Sequence, residues 1–130
     1  MDEPREDVHR GSIPNSLNIP YMSLLTSEKR PSRTGSGEAE VFSFKPKSEL
    51  VKVVKDVIDP LDPMVTSCGT GVTASVLALA LYTLGNKVVP VYDGSWAEWG
   101  LKDKTPKVKM RIDTKERYAN WNPKEEDLKK

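Results

Sequence analysis

The sequence predicts an α/β fold, because the pattern between residues 64 and 92 is strand, helix, strand. Residues 64–67 are a short apolar run, which is typical of a buried strand. Residues 73–84 are apolar on nearly every side and are followed by Gly85, which predicts a well-buried helix with a glycine C-cap. Residues 87–92 return to a strand pattern. Two strands joined by a helix through short connections imply a parallel sheet flanked by helices.

Further elements are predicted on either side of this unit. Leucine, valine and isoleucine recur at helical spacing over residues 48–58, with Ser48 as the expected N-cap and Pro60 as the expected stop. The S-x-x-E capping box that starts at Ser95 predicts a short helix there. Residues 26–40 are polar and rich in Gly and Ser, and are interpreted as a mobile linker loop.

The two ends of the chain carry weaker patterns. Residues 17–19 are a candidate for a very short strand, and residues 22–25 for one or two helical turns. We expect residues 1–100 to form one domain and residues 101–130 to form a polar, basic tail. Within that tail, residues 108–113 alternate apolar and charged side chains, which predicts either an added edge strand or a disordered, solvated segment.

Composition argues against several classes of protein. The net charge of the 130 residues is +1, so neither a nucleic-acid partner nor a membrane partner is expected. The longest apolar run, residues 76–84, is too short to cross a bilayer, and the N-terminus resembles neither a secretory signal nor a transit peptide. A single cysteine favours a reducing, intracellular compartment, cytoplasm or mitochondrion. Because Cys68 and His9 make no recognisable ligand set, we expect no metal. We also expect no organic cofactor.

Cys68 is the candidate nucleophile, since it lies directly between the first strand and the buried helix. Gly69 and Gly71 permit a tight turn in which several N–H groups point inward, and the helix N-terminus adds a partial positive charge. A thiol held there is expected to have a lowered pKa and to react as a thiolate. The alternative is a buried, inert core thiol.

Three chemistries use such a loop. A cysteine phosphatase needs an arginine after five intervening residues, but Ala74 stands there, and Ser67 rather than a histidine precedes the cysteine. Dinucleotide binding is a second possibility, since residues 69–74 match G-x-G-x-x-A and Asp93 follows the next strand, where a ribose-binding acid belongs. The chain shows only one clear strand–helix–strand unit, however. The third is sulfur transfer through a cysteine persulfide.

Several segments resemble the rhodanese and mercaptopyruvate sulfurtransferase family, in the order in which that family has them. Residues 68–74, CGTGVTA, resemble its active-site loop, and residues 91–99, VYDGSWAEW, resemble the segment after its next strand. Residues 11–21, GSIPNSLNIPY, and residues 3–5, EPR, resemble two upstream motifs. The likeness runs from about residue 3 to residue 100 and implies the C-terminal, catalytic rhodanese domain of this family.

This resemblance implies a mechanism and a set of site residues. The Cys68 thiolate would take a sulfur atom from a small donor, and an acceptor such as cyanide, a small thiol or thioredoxin would remove it. Thr70 would pass a proton. The resemblance assigns donor and persulfide binding to Arg5, Gly69, Gly71, Val72 and Thr73. Arg5 has the plain alternative of an exposed, salt-bridging arginine.

The loop and the chain start add two expectations. In the family that the chain resembles, the loops of thiosulfate-preferring members carry basic residues, which suit a dianion. Residues 69–73 carry no charge, so the resemblance favours 3-mercaptopyruvate over thiosulfate as the donor. Ser12 and Asn15 replace the family's usual histidine and glycine. The family's first strand, a second substrate-binding arginine and its N-terminal partner domain would all precede Met1. The sheet is therefore expected to lack its first strand and activity to be weak or lost, with a degenerate rhodanese module that binds a partner or small anion as the alternative.

Overall fold

A computed structural model describes residues 7–33, 35 and 37–108 of the chain. A 3-10 helix at Tyr21–Leu24 precedes two strands and three α-helices. These are β1 (Leu25–Pro31), β2 (Glu38–Phe44), α1 (Lys47–Lys55), α2 (Val72–Leu84) and α3 (Ser95–Trp99). Within the described residues no helix is long and apolar enough to cross a membrane.

The interpretation of residues 26–40 as a mobile loop was wrong. β1 and β2 form an antiparallel hairpin in which Leu25 lies opposite Phe44 and Pro31 lies opposite Glu38. The N–H of Ser32 donates to the carbonyl of Gly37 across the turn, at 2.9 Å. Both faces of the hairpin are largely exposed. Because both faces of this hairpin are exposed to solvent, its strands need no alternation of apolar and polar residues. Their polar composition therefore resembled that of a loop.

The core is formed where α1 crosses α2 beside the 3-10 helix. Its fully buried members are Leu24, Leu50, Val54, Ala80 and Leu81. Leu50 and Val54 are four residues apart and therefore lie on one face of α1. The predicted helix is thus confirmed, but its start was misplaced. The carbonyl of Pro46, and not a cap at Ser48, accepts the first N–H groups of α1.

α2 confirms the predicted helix and its C-cap, but not its predicted burial. Gly85 adopts a left-handed conformation with φ of 117° and ends the helix. The outer side of α2 is exposed, with Leu79 at 53% and Tyr82 at 51% exposure. A helix that is apolar all round is buried only where other elements cover it, and the described elements cover one side of α2.

The predicted parallel sheet is not seen among the described residues, and this expectation is corrected. Residues 64–67 and 87–92 meet only at a parallel bridge between Thr66 and Val91. The Thr66 N–H donates to the Pro90 carbonyl and the Tyr92 N–H donates to the Thr66 carbonyl, both at 2.9 Å. No strand forms at residues 17–19.

Two features near the end of the described chain also differ from expectation. α3 begins at Ser95 as predicted, but Gly94 occupies the N-cap and no side-chain cap forms. Val108 pairs antiparallel with Ser12 through two backbone hydrogen bonds of 3.0 Å. The rest of the alternating stretch predicted as an edge strand lies outside the described residues.

Leu81→Ala should lower the free energy of unfolding by about 2–5 kcal/mol, because it leaves a cavity in a fully buried site. Urea denaturation measures this change. Leu79→Ala, on the same helix but half exposed, is the matched control and should stay within about 0.5 kcal/mol of the parent protein. Equal losses in the two variants would contradict the packing described above.

Candidate active site

The loop that carries Cys68 begins two residues after the Thr66 bridge and ends where α2 starts. Gly71, the residue before α2, has φ of 89°, a left-handed conformation that L side chains rarely adopt. A Cβ on Gly71 would lie 2.8 Å from the carbonyl oxygen of Asp93. Glycine is therefore required here for both conformation and space.

The sulfur of Cys68 is partly buried and points at the turn that follows it. The backbone N–H of Gly71 donates to Cys68 Sγ at 3.1 Å. Burial raises the pKa of this thiol. Hydrogen bonds from the Thr73 hydroxyl and from the backbone of Thr70, Ala74 and Gly71 lower the pKa by more than burial raises it. The net effect is a pKa of about 7, below the ordinary value of 9.0. At neutral pH much of the sulfur is therefore thiolate, the nucleophilic form.

The start of α3 holds the other side of the loop. The N–H of Trp96 donates to the carbonyl of Cys68 at 3.0 Å, and the N–H of Ala97 donates to the carbonyl of Gly69 at 2.9 Å. Because α3 follows the bridge at Val91, the bridge brings the two segments together. Backbone groups of α3 thus hold the start of the loop, at Cys68 and Gly69.

Ser95 is a site residue that sequence analysis missed. Its hydroxyl accepts the Cys68 N–H at 3.2 Å and donates to the Tyr92 carbonyl at 2.7 Å. Ser95 is fully buried and has a positive φ of 46°. In the sequence, Ser95 matches the first residue of a capping box, which predicted only the start of a helix. Nothing in that pattern indicated a hydrogen bond to Cys68.

The structure brings together most of the site residues that the sequence predicted. These are Cys68, Gly69, Thr70, Gly71, Val72 and Thr73. Gly71 and Thr73 hydrogen-bond the sulfur, whereas the side chain of Val72 is 72% exposed. Arg5 lies outside the described residues. Over the part of the chain that is described, no three His, Cys, Asp or Glu side chains are grouped as a metal site would require.

Comparison with known proteins identifies the family. The profile of the rhodanese-like domain matches residues 3–102 of the chain. The chain belongs to the rhodanese-like domain family. The resemblance drawn from the motifs is therefore confirmed, and with it the rhodanese-like α/β class of this domain.

Relatives of the rhodanese-like domain include named sulfurtransferases. The chain is 37% identical to 3-mercaptopyruvate sulfurtransferase of Mus musculus over 101 residues, which cover 77% of this chain and 30% of that protein. It is 41% identical to thiosulfate sulfurtransferase TUM1 of Saccharomyces cerevisiae over 103 residues, covering 77% and 32%. The crystal structure of the yeast Tum1 protein superposes with a TM-score of 0.59 at 32% identity, covering 84% of this chain and 34% of that one. The chain thus spans about a third of the length of these relatives.

Thr73→Val should raise the pKa of Cys68, because the hydroxyl that stabilises the thiolate is lost while the side-chain shape is kept. The rate of alkylation by iodoacetamide, measured against pH, reports the thiolate fraction. Its midpoint should lie near 7 in the parent protein and move to higher pH in the variant. Thr83→Val removes an exposed hydroxyl that donates to Leu79 within α2, and should leave the midpoint unchanged. An unmoved midpoint in Thr73→Val would contradict the assigned hydrogen bond.

Ser95→Ala should cost about 1–3 kcal/mol of unfolding free energy, since the Cys68 N–H and the Tyr92 carbonyl lose their shared partner. Chemical denaturation followed by circular dichroism measures the loss. Ser75→Ala is the control, because Ser75 is an exposed residue whose hydroxyl donates only to the Gly71 carbonyl within its own turn. That control should change stability by less than about 0.5 kcal/mol. A Ser95→Ala protein as stable as the control would show that this buried hydroxyl does not hold the loop.

Proposed function

We propose that this rhodanese-like domain is a sulfurtransferase that carries sulfur on Cys68. The observation that carries the proposal is the Cys68 thiol itself, which accepts the Gly71 N–H in a loop that lowers its pKa to about 7. A thiolate surrounded by inward-facing donors is suited to attack an electrophilic sulfur and to hold the anion that results. The sulfurtransferase names of the relatives support the same chemistry.

The transfer has two balanced halves. In the first, the Cys68 thiolate attacks the outer sulfur of the donor, and a persulfide S–S bond forms as the donor's bond to that sulfur breaks. The leaving group is sulfite from thiosulfate, or pyruvate after protonation from 3-mercaptopyruvate. In the second, a thiol or cyanide attacks the outer sulfur of the persulfide and releases the Cys68 thiolate.

The loop supplies the groups that this chemistry needs. The N–H of Gly71 and the hydroxyl of Thr73 would bind the persulfide anion, together with the backbone N–H groups of Gly69 and Val72. Val72 is the first residue of α2, where the helix dipole favours an anion. Thr70 is proposed to deliver the proton that forms pyruvate. Arg5 is proposed to bind the donor's carboxylate or sulfonate.

The absence of charge in the loop favours 3-mercaptopyruvate as donor. Residues 68–74 contain no basic side chain, so the loop offers backbone dipoles and hydroxyls but no cation to a dianion such as thiosulfate. A donor with a single carboxylate places less charge beside the thiolate. The mouse and yeast relatives carry one donor name each, so the family accommodates both.

The chain has two parts in this proposal. Residues 1–100 are the catalytic domain and residues 101–130 an appended tail, acting inside the cell with a thiol acceptor such as thioredoxin and without nucleic acid or membrane.

Intact mass after incubation with 3-mercaptopyruvate, and with thiosulfate in parallel, tests the proposal. The protein should gain one sulfur atom, more readily from 3-mercaptopyruvate, and Cys68→Ser should gain none. Subsequent cyanide should remove the added sulfur. Folded protein that gains no sulfur from either donor would refute transfer by this chain and favour a binding role for the domain.

A further inference from the structure

Trp96 of α3 makes two hydrogen bonds that lead to different parts of the molecule. Its backbone N–H donates to the carbonyl of Cys68 at 3.0 Å. Its indole N–H donates to the carbonyl of His9, also at 3.0 Å, from 87 positions away in the sequence. One buried residue therefore connects the loop that carries the nucleophile with a segment near the N-terminus.

That segment is held against the end of α3 by further contacts. The N–H of His9 donates to the carbonyl of Gly100 at 3.3 Å. Val8 is buried, and a Cβ on Gly100 would lie 2.5 Å from Val8 Cγ1, so the absence of a side chain at Gly100 is what lets Val8 pack so closely. The backbone at Val8 and His9 is thus anchored to α3.

The anchored backbone follows closely on the residue proposed to bind the sulfur donor. Arg5, which the proposed function assigns to the donor's carboxylate or sulfonate, precedes Val8 by three positions. Three residues span at most about 11 Å even when fully extended, so the anchor at Val8 restricts the reach of Arg5. A charged side chain on an anchored backbone has less freedom to lose on binding, and therefore binds more tightly.

We propose that Trp96 is a positioning residue for sulfur transfer, whose indole N–H holds the backbone of Val8 and His9 so that Arg5 meets the charged end of a donor at Cys68. The inference rests on the proposed function and deepens it. Trp96 acts through Arg5, whereas its backbone N–H supports the Cys68 loop. Phenylalanine keeps the aromatic ring and the backbone N–H but lacks the indole donor, so the first role can be removed alone.

Trp96→Phe in the full chain, assayed with 3-mercaptopyruvate and cyanide, should raise the KM for 3-mercaptopyruvate about three- to tenfold, the worth of one hydrogen bond. The kcat and the pH midpoint of iodoacetamide alkylation should match the parent protein, because the Cys68 loop keeps its contacts. Trp99→Phe is the matched control on the same helix. It loses an exposed indole N–H that donates to the Pro106 carbonyl, and its KM should not change. An unchanged KM in Trp96→Phe would overturn the proposal.

A second measurement needs no sulfur transfer and so separates this inference from the proposed function. Iodoacetate carries a carboxylate and iodoacetamide does not, so the ratio of their alkylation rates at Cys68 reports anion binding beside the sulfur. The ratio should fall about three- to tenfold in Trp96→Phe and at least as far in Arg5→Gln. The double variant should resemble Arg5→Gln alone, since Trp96 acts through Arg5.

The outcomes of the alkylation test are distinct. A fall in Arg5→Gln without one in Trp96→Phe, or additive losses in the double variant, would overturn the inference and leave the proposed function standing. A ratio unchanged in both single variants would remove Arg5 from the site, and the inference with it. If Trp96→Phe does not fold, Val8→Ala loosens the same backbone without altering α3 and should lower the ratio and raise the KM. A folded Val8→Ala protein that does neither would overturn the inference.

Discussion

The hydrogen bonds between the Cys68 loop and the start of α3 are the constraint on which the candidate site depends. They fix the carbonyls of Cys68 and Gly69, so the chain must reverse within the next two residues before α2 begins. Only a left-handed residue without a side chain completes that reversal beside Asp93, and Gly71 provides it. The same reversal aims the Gly71 N–H at the sulfur. Nucleophile and donors are thus consequences of one backbone arrangement.

Local pattern predicted the elements whose stability is local. α2 and its glycine C-cap, α1 and the start of α3 could be found from periodicity and end signals, to within a few residues. The hairpin could not, because both of its faces are wet and its strands show no apolar alternation. Residues 64–67 and 87–92 have strand composition but form a single bridge, since a sheet depends on neighbours that local pattern does not supply.

The candidate site was predicted in the same uneven way. Cys68, Gly71 and Thr73 could be predicted to lie together because one short loop, residues 68–73, contains all three. Ser95 was missed because its contact with Cys68 spans 27 positions and a second, local signal accounted for the serine. The rhodanese-like family match, residues 3–102, covers both segments.

The central claim is that the loop makes Cys68 a thiolate near neutral pH. Ultraviolet absorbance of the thiolate, titrated against pH with Cys68→Ser as the blank, measures this directly and needs no substrate. The account predicts a single step with a midpoint of about 7. A midpoint at the ordinary value of 9.0 would show that the Gly71 and Thr73 hydrogen bonds do not stabilise the charged sulfur, and would contradict the account.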